Sequence, residues 1–332
     1  MNKIIKLVKQ LKRNKLSINL IGYYYKRTLP LVYYPFVKKR IPKKIVFFIG
    51  NQGDGMSFVT RVLRKHNNLI SISGNHNYWS GADEIATVME PVLPYSLRLP
   101  GLLTKERIKT TLSPPRSWSY GADNFFDHYL ANEEDYNEIE ANTFLKIIST
   151  ALWRFGSDKI FIDKSQVYSL KMKLLQKIFK DRVHFVHITR NPLISCYRAA
   201  SGKAGDLKRY SEKLDFEDLL DISIQHWNNI SVEISSSKKA VTNYSRFKIE
   251  DILDNPSFYF NEICKSIGIE FNSSMLPKPN DKIPHFSKYK DRWFPIRKDI
   301  NSSYLLSMNS EIKNKIKKNL NQKIAIEQGY KL

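Results

Sequence analysis

The sequence predicts an α/β fold, a central parallel sheet with helices on both faces. Three observations carry that prediction. The run Ile45–Ile49 is continuously apolar and stops at Gly50, the pattern of a parallel strand buried on both sides. Val59, Val62 and Leu63 then recur at helical spacing. Further on, Lys159–Asp163 and Val183–Thr189 read as core strands flanking a helical stretch over residues 168–180, a β-α-β unit.

The remaining chain continues the alternation. Residues 219–234 read as a helix, Ser245–Ile249 as a short strand, and residues 256–267 as a helix with Pro256 in its first turn and Gly268 as its stop. Residues 90–124 break the pattern with Pro91, Pro94, Pro100, Pro114 and Pro115, and with Arg116, Trp118 and Tyr120 nearby. A proline-bearing connection of this length inside an α/β domain reads either as a lid or acceptor-site wall or as a plain surface insertion. The expected organisation is a basic amphipathic arm over residues 1–43 and one α/β domain over 44–332.

Composition narrows the setting. The two cysteines among 332 residues, Cys196 and Cys264, cannot make a disulfide framework, and without C-x-x-C or His-x-x-His spacing no metal is expected. No apolar run approaches the roughly 20 residues that span a bilayer. A reducing, cytoplasmic setting follows as the expectation. The net charge is +22, and residues 1–44 carry thirteen lysines and arginines without one acidic residue. Ile4, Leu7, Leu11, Leu16 and Leu20 form a stripe beside these lysines, followed by Tyr23, Tyr24 and Tyr25. Such an arm suits the anionic inner face of a membrane, or it packs on the domain as an ordinary solvated helix. No recognition-helix or RNA-binding signature accompanies the charge, so nucleic acid is not expected as a partner.

Two segments carry chemistry. Between Ile49 and Phe58 lie Gly50, Gly53, Asp54, Gly55, Met56 and Ser57. The amides of Gly55, Met56 and Ser57 would be the unpaired donors of a helix's first turn, where the dipole favours an anion. The glycines alone would equally permit nothing more than a tight turn. The second segment is Thr189–Arg198, which follows a core strand. Ligands of open parallel sheets bind beyond the carboxyl ends of strands, so Arg190 would enter the same crevice, with Pro192 starting a helix that carries Ser195 and Arg198.

Together the segments resemble the sulfotransferase family that uses 3′-phosphoadenosine-5′-phosphosulfate (PAPS), in its bacterial carbohydrate-type branch with a P-loop-like architecture. In that family a strand–loop–helix cradles the 5′-phosphosulfate, and a later strand ending in Arg-(Asp/Asn)-Pro, with a serine along its helix, binds the 3′-phosphate. Phe161-Ile-Asp-Lys-Ser-Gln166 is similar to the family's Glu-Lys-(Thr/Ser)-Pro segment, whose lysine lies at the reaction centre and corresponds to Lys164. Phe247–Pro256 resembles its Tyr-Glu-Asp-Leu…Pro stretch, Ile263–Gly268 its Phe-Leu-Gly helix end, and Gly329-Tyr330 a frequent ending.

The resemblance implies PAPS as co-substrate, Lys164 as catalytic, and Gly50, Gly53, Asp54, Gly55, Met56, Ser57, Arg190, Ser195 and Arg198 as nucleotide-binding. Gly53 stands where the family's loop has Lys or Arg, with Asp54 beside it and Met56 at the first threonine. Asp54 is then expected to cap the helix by accepting from Met56 or Ser57, leaving Lys164 to supply the charge with Arg61 or a residue of 288–298. The family's serine eight residues after the motif arginine falls on Arg198, which can donate in its stead. The general base, worth roughly 10²–10⁴-fold, is a His or Glu in the family, and the matching neighbourhood holds His76, Asp83 and Glu84, of which His76 is preferred. His184 and His187 read as sheet-packing residues, His187 nearer the crevice.

The implied reaction is sulfuryl transfer to a hydroxyl or amine, and charge suggests a saccharide or lipid-linked glycan acceptor of the kind used in polysaccharide biosynthesis. Two alternatives remain: a nucleotide-binding member of the fold that has lost transfer, and an ATP-dependent kinase, against which stands the missing Gly-Lys-(Ser/Thr).

Overall fold

The computed structural model describes residues 37–72, 118–164, 166–201, 214–278, 282–284, 293–295 and 298–332. Most of the basic arm and of the proline-bearing connection lies outside them.

Five strands form one parallel sheet: β1 (Ile45–Ile49), β2 (Leu69–Ile70), β3 (Ile160–Lys164), β4 (Val183–Thr189) and β5 (Tyr244–Lys248), in the order β2-β3-β1-β4-β5. Every residue of β1 and β4 is buried, as the unbroken apolar runs predict. Because β1 pairs with both β3 and β4, its carboxyl end is flanked by Lys164 on one side and by Thr189 and Arg190 on the other.

Helices cover both faces. Ile45, Phe47 and Ile49 point to a core shared with α3 (Glu138–Phe155), α4 (Met172–Phe179) and α6 (Phe216–Ser237), where Phe144, Leu175 and Ile230 are buried. Val46 and Phe48 point the other way, onto α1 (Met56–Leu63), α7 (Ile249–Asp254) and α8 (Pro256–Ile267). This alternation is the strand's period of two read out as two cores. Phe47 sits inside a ring cluster with Phe144, Tyr168, Phe179 and Phe185. A third cluster joins α5 (Pro192–Ala200) and α6 to the C-terminal helices α9 (Ile300–Ser307), α10 (Ser310–Asn319) and α11 (Gln322–Glu327) through Leu193, Trp227, Ile316 and Ile324. A short helix α2 (Asp123–Tyr129) precedes α3, and a two-stranded antiparallel ribbon, β6 (Lys282–Pro284) with β7 (Trp293–Pro295), stands apart from the sheet.

Local signals set the boundaries as expected in several places. Asn191 caps α5 by accepting from Leu193 N, with Pro192 as its first residue. Asn255 does the same for α8, which stops at Gly268 in the left-handed region. The stretch expected as one helix over 168–180 is instead a 3₁₀ turn, Gln166–Leu170, followed by α4. The break serves β1: Ser169 Oγ accepts from Gly50 N at 3.1 Å and lies 3.3 Å from Gly50 O. His187 and His184 do pack within the sheet, bonding the hydroxyls of Tyr244 and Ser245. Burial pushes His187 down to about 3, so it stays neutral.

Gly50 is held with φ 145, and a Cβ there would lie 2.3 Å from the Ile188 carbonyl oxygen. The loop therefore runs against the backbone of β4, an approach only glycine permits. Gly50→Ala is expected to lower the thermal midpoint sharply, by about 3 kcal/mol of stability or more; a midpoint within experimental error of wild type would refute this packing.

No described helix is long and apolar enough to cross a membrane. Among the described residues no group of three or more His, Cys, Asp or Glu is placed to hold a metal ion.

Candidate functional site

The turn from β1 into α1 is pinned at both flanks. Gly53 and Gly55 adopt φ 91 and φ 96, and Gly55 is the N-cap of α1 without a side-chain cap. The first-turn amides of Gly55, Met56 and Ser57 consequently have no intrahelical acceptor and lie at the positive end of the helix dipole. Phe58 N is already spoken for by Gly55 O at 2.9 Å.

Two cationic side chains bond this turn, and a third, Arg198, lies near enough to feel the charge of Asp54. Lys164, at the end of β3 and 7 % exposed, donates to Ser57 Oγ at 3.0 Å. Arg190, at the end of β4 and 5 % exposed, donates from Nη1 to the Gly53 carbonyl at 2.6 Å. Arg198, one helix further on, lies with its guanidinium 4.8 Å from the ring centre of Tyr304. Burial, and then the charge of Arg198, pulls Arg190 down to about 10, still protonated at neutral pH. Arg198 is lowered by the same burial. Among the described residues, Arg190 Nε, Arg198 Nε and Arg198 Nη1 are buried donors with no acceptor. Such groups are rare in folded proteins and cost free energy unless a ligand or water accepts from them.

Asp54 does not cap α1. Its carboxylate turns inward: Oδ2 accepts from Asn51 N at 2.9 Å, and Oδ1 accepts from Ser195 Oγ at 2.6 Å. Asn51 is anchored in turn by its Nδ2 donating to Ser231 Oγ of α6 at 3.0 Å. The expected cap fails for a physical reason, because a hydroxyl donor on α5 and a near backbone amide together satisfy the carboxylate better than one exposed helix end.

Among solved structures, the sulfotransferase domain from the curacin biosynthetic pathway matches with a TM-score of 0.52 at 13 % identity, over 88 % of this chain and 99 % of that one. The sulfotransferase STF9 from Mycobacterium avium matches with a TM-score of 0.51 at 10 % identity, over 80 % of this chain and 74 % of that one. The chain has the sulfotransferase fold. No family model matches the sequence, and no curated protein matches it significantly.

Within this sulfotransferase fold, Gly50, Gly53, Asp54, Gly55, Met56, Ser57, Lys164, Arg190, Ser195 and Arg198 come together around one turn. Ser195 is there, but its hydroxyl is committed to Asp54. Met56 is 2 % exposed and packs into the core below the turn, so only its amide is offered. His76 and Glu84 lie outside the described residues, as does Asp83. Of the range 288–298, Lys298 donates to the Asp254 carbonyl at 3.3 Å, and Lys288, Lys290, Arg292 and Arg297 lie outside the described residues.

A supporting set braces the segment around Arg190. Glu250 Oε1 accepts from Asn191 N at 3.0 Å and from Asn301 Nδ2 at 2.7 Å, and Oε2 accepts from Tyr330 OH at 3.0 Å. Tyr330 OH also lies 3.1 Å from Thr189 Oγ1. This brace holds the Thr189 side chain and the Asn191 amide, on either side of Arg190, from three separate elements. The only sequence signals for it were the Glu250-Asp251 and Gly329-Tyr330 pairs.

Proposed function

We propose that the protein transfers a sulfuryl group from PAPS to a hydroxyl or amine of an acceptor. The observation that carries this reading is the pair of buried arginines with unaccepted N–H donors, beside an uncapped helix N-terminus whose first turn is bonded by a lysine. A nucleotide with one phosphate at the amide turn and another at the arginines would satisfy both sets of donors. The arginine fork suits a phosphate, and the helix end suits a second anion.

In this reading an acceptor oxygen attacks sulfur in line. The bond from sulfur to the 5′-phosphate oxygen breaks, and its electron pair stays on that oxygen. Lys164 neutralises the charge that develops there, in the position left without a loop cation by Gly53. The acceptor proton passes to a base, for which His76 and Glu84 are the candidates. Acceptor-dependent release of 3′-phosphoadenosine-5′-phosphate from PAPS tests the reading; wild-type protein that binds the nucleotide but releases none with any of a panel of saccharides would favour a binding role instead. Gly53 and Asp54 are what keep that second reading in view.

The acceptor we favour is a saccharide or lipid-linked glycan, handled at an anionic membrane surface through residues 1–43. The support is charge: each basic residue near such a surface contributes about 1 kcal/mol. Deleting residues 1–36, which spares the Arg40–Ser149 anchor of the domain, is expected to reduce co-sedimentation with phosphatidylglycerol vesicles by tenfold or more at low salt. Undiminished sedimentation would reject the membrane role.

A further inference from the structure

The buried carboxyl of Asp54 has no part in the reaction just described, yet it sits between the two groups of anion-binding donors. It is 1 % exposed, follows Gly53, whose carbonyl Arg190 holds, and precedes Gly55, whose amide opens the helix turn. Its hydrogen bonds to Asn51 N and Ser195 Oγ cross-link the β1–α1 turn to α5, the helix that carries Arg198. Asp54 attracts both Arg190 and Arg198. It therefore plays, within the protein, the electrostatic part that a bound anion would play.

We propose that Asp54 is the internal counter-ion of the Arg190–Arg198 pair and that its carboxyl takes up one proton from solvent when an anionic nucleotide docks beside it. The inference rests on the nucleotide-binding reading above. An ionised carboxylate next to an incoming phosphate is repelled in a poorly solvated site. Protonation removes the repulsion and keeps the cross-link: a proton on Oδ1 donates to Ser195 Oγ, whose hydroxyl rotates to accept, while Oδ2 still accepts from Asn51 N.

The surroundings leave Asp54 as the group able to change charge near neutrality. Burial raises it to about 7, against the lowering effects of Ser195, Asn51 N and Arg190, with Glu250 adding to the rise. Facing it from β4 and α5, Arg190 stays protonated, and burial pushes the Cys196 thiol up so that it stays neutral. From the C-terminal tail, Tyr330 is likewise pushed up by burial and stays neutral. Tyr304 of α9 acts on the arginines, Glu250 opens α7, and Lys164 at the end of β3 holds Ser57.

The test is calorimetric titration of full-length protein with 3′-phosphoadenosine-5′-phosphate at pH 8 in two buffers of different ionisation enthalpy, for wild type and Asp54→Asn. Wild type should take up about half to one proton more than Asp54→Asn, and its affinity should fall by up to about tenfold per pH unit above pH 7, a slope the variant lacks. Equal proton uptake by the two would overturn the counter-ion role and leave nucleotide binding standing. Absence of binding by both would overturn the nucleotide reading and this inference together.

A ligand-free measurement applies if Asp54→Asn folds poorly. A carboxyl raised in the folded state contributes stability that is present below about pH 4 and lost as pH rises through about 7. Ser195→Ala, which removes a donor to the ionised form, should move that loss to higher pH relative to wild type. An unchanged pH profile of the thermal midpoint in Ser195→Ala would also overturn the proposal.

Discussion

Lys164→Ala is expected to lower the rate of sulfuryl transfer by about 10²–10³-fold while nucleotide affinity changes little. Parallel pairing sets Lys164 opposite Phe48 at the end of β3, so its stem is buried and its ammonium is delivered to Ser57 at 3.0 Å. In the proposed reaction a point charge fixed there, with no loop cation at Gly53, would meet the charge on the leaving phosphate. An interaction made only in the transition state lowers kcat and kcat/KM together. Steady-state kinetics with saturating PAPS would show this, and unchanged turnover would remove Lys164 from the mechanism. Lys164→Arg is not a rescue, because a planar fork cannot occupy the space of a compact ammonium.

Arg190→Ala is expected to weaken nucleotides bearing a 3′-phosphate by about 10²-fold or more, from the loss of charge-assisted bonds worth about 1.5–3 kcal/mol each. ADP, without that phosphate, should lose far less. The substitution also removes the donor to the Gly53 carbonyl and one counter-charge of Asp54, so the folded fraction must be checked by circular dichroism before affinities are compared. Arg198→Met should show the same selectivity at smaller amplitude, since Tyr304 retains an apolar partner for the methionine stem. Equal losses for both nucleotides in Arg190→Ala would mean that the arginine holds the loop and does not read the phosphate.

The parts of the molecule legible in the sequence are those fixed by short-range rules. The continuous apolar run of β1, the Asn191-Pro192 start of α5 and the Gly268 stop of α8 each follow from one or a few neighbouring residues. Contacts made at long range were not legible. Asp54 bonds Ser195, 141 residues away, in place of the helix beside it, and Ser169, in a 3₁₀ turn ahead of α4, accepts from Gly50, 119 residues away. The two-residue β2 is too short to carry a pattern, and α3 mixes helix formers with Thr143, Ile147, Ile148 and Thr150, residues as much at home in a strand. The position of Arg190 is legible because strand ends deliver side chains to the crevice whatever packs behind them, whereas Lys164 is singled out only by the resemblance of Phe161–Gln166 to the family's lysine segment. The Glu250–Tyr330 brace was not, since a glutamate in a first helical turn reads as a dipole partner until the tail that covers it is seen.

In the proposed reading the carboxyl ends of β1, β3 and β4 hold a nucleotide through its 3′-phosphate. Calorimetric titration of the purified protein with 3′-phosphoadenosine-5′-phosphate, against ADP and against ATP with Mg²⁺, tests it most directly. Binding to the first should exceed binding to ADP by about 10²-fold or more, since ADP cannot accept from the buried donors of Arg190 and Arg198. Equal affinities, a preference for ATP with Mg²⁺, or no binding at all would contradict it.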